Sequence, residues 1–264
     1  MDINRSTLNS LSAALVDIAE RAGREILTVY GAGFDVRTKR DATPVTEADE
    51  RAEKLILKAL AEVAPEIPVV AEESAAKGRV PEIDGTPFFL VDPLDGTKEF
   101  VSRNGEFTVN IALVEKSSPL IGAIHVPVLE ESYWCDGDGA AWRRRGAREA
   151  ERIRCRKAGE ALVVVASRSH RDSKTDMFLQ RFKVKEQISA GSSIKFCRVA
   201  EGAADLYPRL GRTMEWDVAA GHAIVNAAGG SVTTVDNEPF TYGKPDFANP
   251  FFVVRGLTSD SSNG

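Results

Sequence analysis

Phe88-Phe89-Leu90-Val91-Asp92-Pro93-Leu94-Asp95-Gly96-Thr97 joins an unbroken apolar run to an acidic turn. Four large apolar residues in a row, bounded by turn formers, read as a buried strand. The strand delivers Asp92 to the edge of a sheet, and Pro93 stiffens the turn that follows. Asp95 then stands close to Asp92. Two carboxylates packed this tightly repel unless a cation lies between them. Oxygen donors favour a hard cation, Mg²⁺ or Mn²⁺, and the Leu94 carbonyl offers one more oxygen. Gly96 lets the backbone approach a ligand closely. The amides of Asp95, Gly96 and Thr97 open a candidate helix whose N-terminus receives phosphate. Taken alone, the same residues also describe a surface turn.

Upstream, Leu8, Leu11, Leu15, Ile18, Ala22, Ile26 and Val29 recur at helical spacing. They predict one long amphipathic helix, capped by Ser6 or Thr7 and ended at Gly31. Residues 34–37 read as a short strand and 38–44 as a polar loop. Thr46 caps a second helix, whose stripe is Ala52, Leu55, Ile56, Ala59, Leu60 and Val63. A short strand over 68–71 stops at Glu72-Glu73. Downstream, 107–114, 120–126 and 132–135 form an antiparallel run, followed by a turn at Gly137-Asp138-Gly139.

Residues 143–159 are charged and poorly patterned, and a soft boundary falls there. Residues 1–155 are expected to form an N-terminal α+β half, 156–257 a C-terminal α/β half and 258–264 a disordered tail. The second half alternates strands (162–166, 184–188, 231–235, 251–254) with helices (173–182, 192–200, 217–228). The fold class is therefore α/β, layered in the α+β manner.

The 264 residues include 34 basic and 39 acidic ones, a formal net charge of −5. That balance argues against non-specific nucleic-acid binding without excluding a local basic pocket. No apolar stretch reaches the ~20 residues that cross a bilayer, and the first residues lack a signal-peptide pattern. Cys135, Cys155 and Cys197 are scattered, with no C-x-x-C pair. A cytoplasmic protein with three inert thiols is expected.

Acidic groups stand at the ends of several apolar segments: Asp49, Glu72-Glu73, Asp92 with Asp95, and Asp217. Each has an ordinary explanation. Asp49 lies one turn into its helix and could be solvated. Glu72 could sit in an exposed loop. Asp217, between Trp216 and the small residues Ala219-Ala220-Gly221, could simply cap a helix. Their joint occurrence, in this order and with these neighbours, is poorly explained by chance.

The joint pattern resembles the inositol monophosphatase superfamily of Mg²⁺-dependent, lithium-sensitive phosphatases. The resemblance runs through Pro44-Val45-Thr46-x-Ala48-Asp49, Glu72-Glu73-Ser74, Asp92-Pro93-Leu94-Asp95-Gly96-Thr97 and Trp216-Asp217-x-Ala219-Ala220-Gly221, and spans roughly residues 8–255. It implies an alternating αβαβα sandwich. It also implies that Glu72, Asp92, the Leu94 carbonyl, Asp95 and Asp217 hold two or three Mg²⁺ ions, with Mn²⁺ as a substitute. Thr97 and Asp49 would then orient and deprotonate the attacking water, with Glu73 behind it.

Further segments narrow the resemblance: Lys98-Glu99-Phe100, Arg103 to Leu113, Ser167-Arg168-Ser169-His170, Gly191 to Cys197 and Tyr207-Pro208-Arg209. They are similar to the bacterial 3′(2′),5′-bisphosphate nucleotidases of that superfamily. The implied reaction removes the 3′-phosphate of adenosine 3′,5′-bisphosphate, giving AMP and phosphate in support of sulfate assimilation. Glu72, Asp95, Gly96, Thr97, Lys98, His170, Gly191, Ser192, Lys195, Arg209 and Asp217 would line the substrate. Of these, Ser192, Lys195 and Arg209 are candidates for the phosphate that is not cleaved. The partner would be a small nucleoside bisphosphate and no nucleic acid, the assembly a monomer or homodimer. Peripheral inner-membrane attachment follows from resemblance only. His125 and His222 receive no role. An inositol monophosphatase or sugar bisphosphatase is the rival enzyme reading, and a non-catalytic nucleotide-binding regulator the rival of another class.

Overall fold

The computed structural model describes residues 3–33, 35–38, 44–83, 85–167 and 173–257. Residues 39–43 of the predicted loop, His170 and the tail 258–264 lie outside the described residues. Two helices, α1 (Arg5–Ala32) and α2 (Glu47–Val63), are linked through a ribbon of β1 (Arg37–Thr38) against β2 (Pro44–Val45). The predicted stripe of α1 is its buried face, with Leu11, Leu15, Ile18, Ala22, Ile26 and Val29 all buried. Its cap is Asn4, whose side chain accepts from the Thr7 N–H, and not Ser6 or Thr7. The helix runs past Gly31 to Gly33.

A seven-stranded sheet follows in chain order. Its strands are β3 (Val69–Ala71), β4 (Phe88–Asp95), β5 (Thr108–Glu115), β6 (Ser118–Val126), β7 (Glu131–Cys135), β8 (Ala141–Arg145) and β9 (Glu151–Ile153). The β3–β4 pair is parallel and the others antiparallel. Short helices α3 (Glu72–Ala76) and α4 (Thr97–Val101) directly follow β3 and β4. Strands β8 and β9 occupy the stretch that lacks apolar patterning. They are held by ion pairs instead: Arg143 with Glu151 and Glu201, and Arg145 with Glu131.

The second sheet has five strands. Their spatial order is β11 (Val184–Ala190), β10 (Leu162–Ser167), β12 (Leu206–Arg209), β14 (Phe252–Arg255), β13 (Ser231–Thr234). Its helices are α5 (Ser173–Leu179), α6 (Ile194–Ala200) and α7 (Glu215–Ala227). Strand β10 shows why the layers form. Val163 and Val165 belong to the main core, whereas Val164 packs with Phe178 and Leu179 of α5. Alternate residues of a strand face opposite sides, so both faces of this sheet need a cover.

Helices α1 and α2 pack on the first sheet; α7 packs on its strands and on β13, and α6 packs on α7 and the second sheet. The layers are thus α1–α2, seven strands, α6–α7, five strands, α5, the αβαβα sandwich. One buried cluster runs through both sheets. No helix among the described residues is long and apolar enough to cross a membrane. Cys135, Cys155 and Cys197 are free and buried, and burial pushes all three thiols up, away from the reactive thiolate form.

Candidate active site

Strand β4 does not stop at Asp92. It continues through Asp95 with an irregularity: Asp92 pairs with Asn110, and Asp95 pairs with Thr108. Three steps along β4 therefore oppose two along β5, which is a β-bulge with one extra residue. In a regular strand, residues three apart point to opposite faces. The bulge cancels that parity, and Asp92 and Asp95 line one cavity of about 250 Å³. Pro93 fits the irregularity because it has no N–H for a ladder. The Leu94 N–H donates to Asp92 Oδ1 at 3.0 Å, closing the turn locally.

Glu72 and Asp217 reach the same cavity from other elements. Glu72 starts α3, whose first turn is pinned by Glu53 of α2: its carboxylate accepts the Glu73 N–H and the Ser74 hydroxyl, each at 2.7 Å. Asp217 lies in the first turn of α7 and accepts the Met214 N–H at 2.8 Å, so it caps the helix and faces the cavity at once. Asp49 is buried, not solvated. Its Oδ2 accepts the Thr46 N–H and hydroxyl at 2.8 and 2.7 Å, completing the cap of α2. Its Oδ1 accepts the Thr97 hydroxyl at 3.3 Å. Thr97 lines the cavity with Asp49 behind it.

Burial, then the charges of Glu72, Asp95 and Asp217, push Asp92 well above the usual carboxylate range. Hydrogen bonding with Glu72 acts in the same direction. Burial, followed by Asp95 and Glu72, raises Asp217 in the same sense. Among the described residues no three His, Cys, Asp or Glu side chains are already assembled as a metal cage. The donor chemistry nonetheless fits a hard divalent cation: four carboxylates crowd one cavity, and such an ion relieves the repulsion that, after burial, raises Asp92 and Asp217.

Further lining residues come from the second half of the chain, around α6 and β12. Ser192, Lys195 and Arg209 line the cavity, as do Gly96 and Lys98. Lys98 is exposed at the rim. Gly96 adopts φ +91°, and a Cβ there would press on Ser192 at 3.2 Å. Gly191 is not among the lining residues. Its N–H donates to Glu106 Oε2 at 2.7 Å, and a Cβ would meet Glu99 Cγ at 2.7 Å. The close approach expected of Gly191 is therefore made to Glu99 and Glu106. The Lys195 ammonium is buried on the carbonyls of Ser192, at 2.5 Å, and Ala190, at 3.4 Å. Arg209 reaches the Arg212 carbonyl at 3.3 Å. Glu73 is buried but lines a different cavity, with Glu50, Lys77 and Arg79. It is not among the residues that line the cavity of Asp92 and Asp95.

Sequence reasoning gave no role to several groups that build this site. Thr108, Asn110 and Ser193 form a hydrogen-bonded cluster on Asp95. Glu53 and Glu106 anchor the loops that carry Glu72 and Ser192. Thr108 and Asn110 were detectable as polar residues two apart within an otherwise apolar run. His125 bonds Ser132 at 2.9 Å and His222 bonds Tyr242 at 2.9 Å, both buried, in keeping with structural roles.

The chain resembles known proteins over nearly its full length. The pattern of the inositol monophosphatase family matches residues 7–250. The 3′(2′),5′-bisphosphate nucleotidase CysQ of Salmonella typhimurium is 44% identical over 241 residues, covering 90% of this chain and 96% of that protein. The crystal structure of CysQ from Bacteroides thetaiotaomicron superposes with a TM-score of 0.76 at 38% identity, covering 94% and 97% of the two chains. The extragenic suppressor protein suhB of Bartonella henselae superposes with a TM-score of 0.75 at 27% identity, covering 94% of each. Fold, acidic site and sequence thus agree, and the chain belongs to the inositol monophosphatase family.

Proposed function

We propose that the protein is a Mg²⁺-dependent 3′(2′),5′-bisphosphate nucleotidase that converts adenosine 3′,5′-bisphosphate to AMP and phosphate. The observation that carries this reading is one cavity lined both by four carboxylates and by Lys195 and Arg209. A nucleoside bisphosphate has two phosphates to match them. The 44% identity to CysQ supports the same substrate class. Removal of this nucleotide would serve sulfate assimilation in the cytoplasm. The first half of the chain supplies most metal ligands, and the second supplies Asp217 and the specificity residues.

Glu72, Asp92, the Leu94 carbonyl, Asp95 and Asp217 would hold the ions. When bound, Mg²⁺ polarises the phosphoryl oxygens and makes a nearby water more acidic. Thr97 accepts a proton from the attacking water as its own hydroxyl proton moves to Asp49 Oδ1, which it already faces. The water oxygen bonds phosphorus, the P–O3′ bond breaks, and the departing 3′ oxygen takes a proton from solvent. Lys195, Arg209 and Ser192 hold the 5′-phosphate, fixing the nucleotide for in-line attack.

A substrate panel with Mg²⁺ tests the reading, repeated with Li⁺. Adenosine 3′,5′-bisphosphate is expected to turn over fastest, and Li⁺ to inhibit. Faster release of phosphate from inositol 1-phosphate, or none from any substrate, would overturn it.

A further inference from the structure

Three side chains outside the proposed mechanism form a chain of donors that ends on Asp95. The Thr108 hydroxyl donates to Asn110 Oδ1 at 3.0 Å. The Asn110 amide donates to Ser193 Oγ at 2.9 Å and to Asp95 Oδ2 at 3.5 Å. The Ser193 hydroxyl donates to Asp95 Oδ2 at 2.8 Å. All three are buried, with at most 1% of their surface exposed. The direction of the chain is forced. A carboxylate can only accept, so Asn110 must turn its NH₂ toward Asp95 and Ser193, leaving its carbonyl for Thr108.

The convergence is one-sided. Ser192, Ser193 and Asn110 all address Oδ2 of Asp95. Each serine divides a single proton between two acceptors: Ser192 between Oδ2 at 2.7 Å and the Asp95 carbonyl at 2.9 Å, Ser193 between Oδ2 at 2.8 Å and the Asp217 carbonyl, and the Ser192 hydroxyl also lies 2.6 Å from that of Thr108. The elements differ as well. Asn110 stands on β5, opposite Asp92, whereas Ser193 stands just before α6 in the second half. Ser193 also lies 3.0 Å from the Asp217 carbonyl. One serine thus touches the two segments that carry Asp95 and Asp217.

We infer that Asn110 and Ser193 are positioning residues: they hold the Asp95 carboxylate by Oδ2 where β5 meets the start of α6, and would leave Oδ1 as the oxygen offered to a divalent cation. The inference rests on the metal-dependent reading above. A carboxylate ligand binds well only when its plane is fixed, and hydrogen-bond donors behind it set that plane. Ser193 also lines the cavity, so its action through Asp95 is read from metal binding in the absence of substrate.

The test measures Mn²⁺ binding to the full chain without substrate, by electron paramagnetic resonance of the free ion. Ser193→Ala and Asn110→Ala are each expected to weaken Mn²⁺ binding about tenfold or more. The Mg²⁺ concentration for half-maximal turnover should rise in parallel, while kcat at saturating Mg²⁺ largely recovers. Ser12→Ala is the control for a purely structural loss: its buried hydroxyl donates to the Cys135 carbonyl at 2.8 Å, on a different cavity. It should lower the metal-free thermal midpoint comparably yet leave Mn²⁺ affinity unchanged. The two variants alter different elements, β5 and the start of α6, so one remains readable if the other fails to fold. Wild-type Mn²⁺ affinity in either folded variant would overturn the inference and leave the proposed function standing. Failure of the wild-type chain to bind Mn²⁺ at all would overturn both.

Discussion

The acidic and basic ends of the cavity are built on opposite principles. Each carboxylate of the acidic end is fixed by the backbone of its element: the bulge of β4 for Asp92 and Asp95, the first turn of α3 for Glu72, the first turn of α7 for Asp217. These groups are crowded, and burial followed by their mutual repulsion raises Asp92 and Asp217. Of the basic groups Lys195 is already partnered, whereas the buried Arg209 Nε has no hydrogen-bond partner among the described residues. Lys195 rests on two backbone carbonyls and lies in the field of Asp95, Glu99 and Glu106. The contrast teaches that a cation relieves strain at one end, whereas a phosphate must compete for Lys195 at the other. Losses at the acidic end should therefore abolish chemistry, and losses at the basic end should weaken choice of substrate.

The largest effect is expected from Asp95→Asn. It keeps the shape of the side chain and removes the ligand charge, which is worth several kcal/mol in a metal site, or on the order of a thousandfold in turnover. Near-normal activity at saturating Mg²⁺ would erase the distinction between the two ends. Next comes Thr97→Ala, which removes the hydroxyl between the cavity and Asp49. Proton transfer by a positioned group contributes about a hundredfold or more, so kcat should fall by that order with KM little changed. Thr97→Ser should restore most of it; a serine variant as impaired as the alanine variant would point to packing and away from proton transfer.

Lys195→Ala should act differently. A charge-assisted hydrogen bond contributes about 1.5–3 kcal/mol, so KM for the bisphosphate should rise roughly tenfold to a hundredfold. KM for a 3′-monophosphate should barely move, and equal losses on both substrates would remove Lys195 from the specificity role. The smallest effect is a pH dependence of that same preference. Burial, joined by Arg209, lowers Lys195 to about 8, against the opposing pull of Asp95, Glu99 and Glu106. The cationic form binds phosphate and dominates below that value. The ratio of bisphosphate to monophosphate affinity should therefore decline as pH rises through about 8, by less than the alanine variant loses. A ratio that stays flat through this range would show that the ammonium does not face the second phosphate.

Much of the framework was legible in the residues. The stripe of α1 and the small residues of α7 predict buried helices because periodicity reports a buried face directly. Strands β8 and β9 were not legible. Their partners are Glu131, Glu151 and Glu201, and an ion pair between strands leaves no periodic mark in either segment. The site divides in the same way. Asp49, Glu72, Asp92, Asp95, Thr97 and Asp217 were singled out from sequence, and the structure gathers them around one cavity or, for Asp49, directly behind it. Glu73 shows the limit: adjacency to Glu72 suggested a shared site, yet in α3 neighbouring residues leave the helix in different directions.

The pair Asp92 and Asp95 marks where sequence stops. Sequence alone determined that two carboxylates follow a buried strand, with a proline between them and a glycine after. Strand parity, taken alone, would send those carboxylates to opposite faces. Only the pairing of β4 with β5 decided otherwise, because a bulge is a property of two strands, three steps on one against two on the other. The same holds for Asn110 and Ser193, which lie 83 residues apart and meet at Asp95 through the packing of the two sheets. Local sequence encodes which side chains exist and which face they prefer. Long-range register and sheet-to-sheet contact decide which of them touch.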